Sequence, residues 1–359
     1  MFAAGKHHVR YFNMMTPKYS RSFVNRVGDV LADSESTAEE LRSALYSLSD
    51  WRALHLIPMN TFQATLRKYV NEIDPKGIVA QRLKRAPTII DKLRNRQQSM
   101  SLGRMQDIGG LRAIVNHVQS VRKIEEKFAH SRSKHDLKKK YDYITEPKDS
   151  GYRGIHLVYE YHNPKKPECD GLQIEIQLRT RLQHLWATAV ETVGFFYQES
   201  LKSSQGNEQR LEFFRMVSAL FSHQEKQPTS QPYRNLSFET LVDQLRQFDL
   251  NYKILNQLEA IQIARSAVKV PKMADAAYWI IQTICGPSIA SAKVYPFLKQ
   301  QQEQAKIVYQ SLEESNENMN GQSQVVLVST DSVKQLNKAY PSFFLDIADF
   351  ISNVKALIR

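Results

Sequence analysis

GIHLVYEYHNPKKPECDGLQIEIQLRT, residues 154–180, alternates twice. In its first half Ile155, Leu157, Tyr159 and Tyr161 fall on one side, and His156, Val158 and Glu160 on the other. In its second half Leu172, Ile174, Ile176 and Leu178 oppose Gln173, Glu175, Gln177 and Arg179. A period of two marks half-buried strands. The Asn, Pro, Asp and Gly residues between them mark a turn, so the two strands are expected to pair antiparallel across a long loop. Their polar faces then lie side by side.

Past Thr180 the period becomes 3.6: Leu182, Leu185, Trp186, Ala189, Val190 and Val193 make one helical stripe, expected to cover the sheet. Upstream, Gly109 and Gly110 suggest a turn opening a strand over 111–118. Two amphipathic helices precede it. One is capped at Ser36 or Thr37 with Glu39 or Glu40 three residues on; the other carries Phe62, Leu66, Tyr69, Val70 and Ile73 and ends at Pro75. The basic segment AQRLKRAPTIIDKLRNR, 80–96, breaks at Pro87 and reads on its own as a solvated helix face. KHDLKKK, 134–140, reads as a charged loop or helix end.

Beyond a polar loop at 200–208, residues 209–222 and 235–268 read as helices. Residues 275–359 then follow in the order ββαβα, enough for a small separate domain. The whole is an α+β chain: an N-terminal helical part (1–80), a mixed-sheet core flanked by helices (81–200), a helical extension (201–270) and a C-terminal α/β domain (275–359).

The 359 residues carry 49 Lys+Arg against 37 Asp+Glu, a net charge of +12 that favours polyanionic partners such as nucleotides or RNA. Cys169 and Cys285 stand far apart without metal-ligand spacing, which argues against a disulfide framework or a zinc site. No long apolar run and no signal-like N-terminus is present, so a cytoplasmic protein is expected, with no membrane partner.

Two carboxylates stand where strands meet loops: Asp107, before the glycine pair, and Glu175, on the polar face of the second hairpin strand. Magnesium takes hard oxygen ligands and is commonly held by one or two carboxylates together with substrate phosphates. Arg82, Lys84, Lys92, Arg112, Lys148, Arg153 and Arg179 supply positive charge around them. Phosphoryl transfer needs that charge more than it needs a covalent intermediate. Taken alone, the residue list also admits a two-carboxylate metal nuclease, or a non-catalytic sensor that binds RNA or a phage protein.

DIGGLRAIV, DYITEPKDSGYRGIH and IEIQLRTRLQHLWA resemble, in order, the synthetase motifs of the RelA/SpoT alarmone synthetases, whose core is nucleotidyltransferase-like. QRLKRAPTIIDKL is similar to that family's donor-nucleotide segment, with Thr88 in place of its usual serine. The resemblance implies transfer of the β,γ-pyrophosphate of ATP to a ribose 3′-hydroxyl. Asp107 and Glu175 match the magnesium carboxylates, and Glu175 is also placed to take the proton of the attacking hydroxyl. Arg82, Lys84, Lys92 and Arg112 match donor-phosphate positions. Tyr152 matches the tyrosine that stacks on the acceptor base, and Lys148, Arg153, His156, Gln177 and Arg179 fall on the acceptor side.

Two departures refine this expectation. The sequence upstream is too short for the metal-dependent hydrolase of the long bifunctional members, so product hydrolysis is not expected. Gly154 stands where many alarmone makers have serine. With WRALHLIPMNTFQATLR and RLQHLWATAVET it makes the chain most similar to the toxic small synthetases of the fused toxin–antitoxin type called CapRel. That type implies the 3′-terminal adenosine of tRNA as acceptor, rather than GTP or GDP, with translation inhibited. It also implies a C-terminal regulatory domain that covers the site until a phage structural protein such as capsid releases it. KAYPSFFLDIADF is similar to that domain's aromatic plug, with Tyr340 kept and Phe343 replacing a second tyrosine; the same residues could equally form the small domain's core.

Overall fold

The computed structural model describes residues 19–95, 100–197, 199, 201, 206–264, 276–285, 290–316, 323–329 and 347–359. Three helices open it: α1 (Arg21–Ala32), α2 (Ala38–Leu54) and α3 (Leu56–Ile73). Ser20 caps α1 by accepting from Phe23 N, and Thr37 with Glu40 forms a reciprocal capping box on α2. The sequence offered both Ser36 and Thr37 for that cap, and the chain uses Thr37. The helix α1 lay in a stretch in which no regular pattern was read; Val24, Val27 and Leu31 give it a buried stripe against α2.

The strands are β1 (Ile78–Leu83), β2 (Gly109–Val115), β3 (Asp136–Asp142), β4 (Ile155–Glu160), β5 (Gln173–Thr180), β6 (Ala276–Cys285), β7 (Ala290–Leu298) and β8 (Ser323–Ser329). They form one mixed sheet in the order β3-β4-β5-β2-β1-β8-β6-β7, with only β2 and β5 parallel. The hairpin β4–β5 is antiparallel across the long loop, as the alternation predicts. Its apolar face packs with Leu111 and Ala113 of β2 under α3 and α5 (Val118–Ala129). The amphipathic run Val118, Val121, Ile124 and Phe128 of α5 is a helix the sequence reading passed over.

Two charged segments fold differently from expectation. Residues 78–83 are the central strand β1, and only α4 (Ala86–Arg94) of the basic segment is helical, with Pro87 in its first turn. Pairing on both sides, to β2 and β8, overrides a composition that looks solvated. Residues 136–142 are the edge strand β3, paired to β4 alone. Its exposed lysines suit an edge, where charge blocks further strand pairing.

Helix α6 (Arg181–Tyr197) does not cap the sheet as expected. It is buried nearly all round in a helical layer with α7 (Glu208–Gln224), α8 (Phe238–Tyr252), α9 (Ile254–Ala264) and α11 (Ala348–Ile358). The residues beyond 276 divide. Strands β6 to β8 and α10 (Gln302–Asn316) extend the sheet through β8 against β1, where Arg82 faces Val328 and Gln81 faces Ser329. Helix α11 joins the helical layer instead, with Phe350 against Phe214 and Phe221. Tyr340 and Phe343 lie outside the described residues. Among the described residues no helix is long and apolar enough to cross a membrane.

Candidate active site

Strand register assembles the site. One cross-strand row runs Lys139–Val158–Glu175–Gly110–Arg82, and the next runs Tyr141–His156–Gln177–Arg112–Ala80. Gly110 leaves the floor open between Glu175 and Arg82: a Cβ there would meet only the Arg82 carbonyl oxygen, at 3.6 Å. The cavity over this floor is lined by Arg82, Lys84, Asp107, Arg112, Glu175 and Gln177. Residues from 82 to 177 in the sequence thus meet because β1, β2 and β5 are neighbours.

One half of the cavity is cationic. Lys84 Nζ lies 2.6 Å from Asp107 Oδ2, and Lys92 Nζ lies 3.5 Å from Oδ1. Burial pushes the Lys84 ammonium below its usual range, helped by Lys92 and Arg82 and opposed by Asp107. Arg82 and Arg112 reach the same space from β1 and β2.

The other half is built on a carboxylate. Glu175 accepts from His156 Nδ1 at 2.8 Å on Oε1 and from Gln177 Nε2 at 2.7 Å on Oε2. Burial alone would raise its pKa, but the hydrogen bonds and charge of His156, the Gln177 amide and the Lys84 charge outweigh burial and bring it to about 2. The group is a carboxylate throughout the neutral range.

Three residues expected on the acceptor side are enclosed. The Tyr152 ring is buried, edge-on to Trp186, with its hydroxyl joined to His156 Nε2 and receiving a 2.8 Å bond from Arg179 Nη2. A ring so enclosed offers no face to a base in this conformation. Arg179 is buried beneath the site and also bonds Gln177 Oε1 at 2.8 Å, so it holds Tyr152 and Gln177 rather than facing the cavity. Arg153 points away altogether: it is 2% exposed and pairs with Glu225 of α7, which also binds Thr180 and Gln183. All three sit at positions where alternation or loop position suggested a solvent face; the helical layer covers that end of β5.

The sequence reading missed Tyr143 and Tyr141. Their rings stack at 5.8 Å with planes 6° apart, and Lys148 Nζ lies 4.4 Å from the Tyr143 centroid. Tyr143 is close enough to Glu175 for that carboxylate to help raise its pKa, after burial and the neighbouring tyrosines. Period-two alternation carried back through KKKYDY would have placed both tyrosines on the polar face had β3 been read as a strand.

The two carboxylates fit a divalent cation. They line one cavity, and Asp107 Oδ1 is buried without a hydrogen-bond partner. Hard oxygens with room for phosphate beside them are what magnesium accepts. The lysines now on Asp107 would share it with the ion.

Residues 81–200, which include Arg82, Lys84, Asp107, Glu175 and Gln177, match the family model described as "Region found in RelA / SpoT proteins". The chain is 30% identical over 138 residues to GTP pyrophosphokinase YjbM of Bacillus subtilis (strain 168), covering 38% of this chain and 65% of that protein. It is 28% identical over 111 residues to GTP pyrophosphokinase YwaC of the same organism, covering 30% and 52%. The chain therefore spans between about half and two thirds of the length of these curated relatives. Small alarmone synthetase 1 from Bacillus subtilis bound to its product pppGpp is a similar solved structure, at 24% identity and a TM-score of 0.43, covering 50% of this chain and 93% of that one.

Proposed function

We propose that the chain transfers the β,γ-pyrophosphate of ATP to a ribose 3′-hydroxyl, with the 3′-terminal adenosine of tRNA as acceptor. The observation that carries this reading is the division of one cavity into a cationic half and a carboxylate half. Arg82, Lys84, Lys92 and Arg112 bind and orient the triphosphate. A magnesium ion held by Asp107 and Glu175 would, when bound, neutralise charge on the phosphate oxygens. The acceptor oxygen bonds the β-phosphorus, the bond from that phosphorus to the oxygen bridging to the α-phosphate breaks, and AMP leaves.

Glu175 receives the hydrogen bond of the attacking hydroxyl and then its proton. A carboxylate held at about 2 is a weak base. That suffices here, because a loose phosphoryl transition state leaves the proton in place until the new bond is nearly formed. His156 and Gln177 keep Glu175 aimed; Arg179 and Tyr152 keep His156 and Gln177 aimed in turn. Lys148 and the Tyr141–Tyr143 pair stand at the acceptor side, where stacked rings suit a base.

The RNA acceptor is supported by the +12 charge and by the open β3 edge, with exposed Lys138, Lys139 and Lys140, beside the carboxylate half. A tRNA so modified has no free 3′-hydroxyl for aminoacylation, which makes the chain a translation inhibitor, with defence against phage as the setting. The relatives' names favour a second reading, a free guanine nucleotide as acceptor. Incubation with γ-labelled ATP, magnesium and, in turn, tRNA, GTP, GDP or AMP tests both; label on tRNA supports the first, and label on GTP or GDP alone overturns it.

A further inference from the structure

Arg52 of α2 is 2% exposed, yet it is charged and has every reason to be in water. Its Nε donates to the Lys84 carbonyl at 2.8 Å, its Nη1 to Glu313 Oε2 at 2.8 Å, and its Nη2 to the Tyr309 hydroxyl at 2.5 Å. Glu313 and Tyr309 both belong to α10. The Tyr309 hydroxyl in turn donates to Glu313 Oε1 at 2.6 Å. That same Oε1 accepts from Ala86 N, the first amide of α4, at 3.3 Å.

Helix α4 needs such a partner. Its N-cap residue, Arg85, makes no side-chain cap bond, and the first amides of a helix are unsatisfied within it. A carboxylate brought from another element fills the place and suits the positive end of the helix. The node therefore fixes the turn Lys84–Arg85–Ala86 from both sides, Lys84 through Arg52 and Ala86 through Glu313. This turn sets the direction of two cations paired with Asp107, Lys84, which opens it and lines the cavity, and Lys92 on α4. On the other flank β8 pairs with β1 at Arg82. Residues past 276 thus brace the cationic half at both ends.

We infer that Glu313 is a positioning residue for the donor half of the cavity, so that the C-terminal part of the chain completes the ATP site. The inference rests on the reading of Arg82, Lys84 and Lys92 as donor-phosphate ligands. It concerns a contact separate from Tyr340 and Phe343, and it makes the docked α10 a support for donor binding.

The test uses the full chain, with ATP affinity measured directly by calorimetry and the Michaelis constants for ATP and acceptor measured by label transfer. Glu313→Ala should weaken ATP binding by about tenfold, the effect of losing one or two hydrogen bonds to a charged group, with the Michaelis constant for the acceptor unchanged. Because a lone buried Arg52 could unfold the variant, the double variant Arg52→Met with Glu313→Leu is measured beside it. It should regain the melting temperature while ATP binding stays weak, since the Lys84 carbonyl and Ala86 amide remain without partners. ATP affinity that is unchanged in Glu313→Ala, or that returns with the melting temperature in the double variant, overturns the inference. Faster transfer by Glu313→Ala overturns it too. A wild-type chain that binds ATP but transfers nothing sinks the proposed reaction and leaves this test standing on affinity; a wild-type chain that binds no ATP sinks both.

Discussion

His156 Nδ1 stands 2.8 Å from Glu175 Oε1, across the strand pair β4–β5, and Glu175 lines a cavity whose far wall is arginine and lysine. The contact fixes a buried carboxylate in its charged form, at about 2 against an ordinary 4.5. A carboxylate with a depressed folded pKa contributes stability that is fully present above the unfolded value and is lost as pH falls through the folded one. For Glu175 the window runs from about pH 4.5 down to about pH 2. Denaturant unfolding of Glu175→Gln should therefore show a flatter pH dependence than wild type across that window. An unchanged slope would mean that the His156 and Gln177 contacts do not hold the charge.

Arg153 and Glu225 make a buried pair that also ties Thr180 and Gln183 to α7. Removing one partner strands the other charge, at a cost of about 3–5 kcal/mol. Arg153→Ala should lower the urea midpoint accordingly, and Arg153→Met with Glu225→Leu should recover much of the loss. If Arg153→Ala keeps wild-type stability and loses acceptor binding alone, the residue faces the acceptor after all.

Gly154 has φ +149°, and a Cβ there would meet Arg179 Cγ at 3.2 Å and the Leu178 carbonyl at 3.3 Å. Serine at this position is strained by the backbone and crowds the residue that holds Tyr152. Gly154→Ser should cost about 1–3 kcal/mol in thermal or denaturant unfolding. It should also slow transfer to every acceptor; a clean switch from tRNA to GTP without loss of stability would show that Gly154 acts on acceptor choice alone.

Lys139 shares its cross-strand row with Glu175 and projects from the exposed edge strand. Lys139→Glu should reduce labelling of RNA and lower the salt dependence of RNA binding by about one phosphate contact. Labelling of a free nucleotide should be little changed. Equal loss on both would place Lys139 outside the polymer's path.

The hairpin 155–180 was legible because its alternation is clean and both faces have work: Leu157 and Ile176 lie in the core, while Glu175 and Gln177 line the cavity and His156 bonds Glu175. The strand β1 was not legible, because a central strand flanked on both sides can carry Arg82 on a face that looks into a charged cavity and Gln81, bonded to Asn60 of α3, on the other, and composition then mimics a solvated helix. The strand β3 was hidden by the lysines that an exposed edge tolerates. Asp107, Glu175 and the donor cations were found by charge and residue type, and register brings them together. The burial of Tyr152, Arg153 and Arg179 was not legible for a different reason: a local pattern cannot report that α6 and α7 cover one end of the sheet.

Label transfer from γ-labelled ATP by the wild-type chain and by Glu175→Ala, with magnesium and tRNA, tests the central claim most directly. The expected result is label on the tRNA 3′ end, AMP released in equal amount, and transfer reduced by about 10³-fold or more in Glu175→Ala, with ATP still bound. Transfer retained by Glu175→Ala, or tRNA cleaved without gaining label, would contradict it.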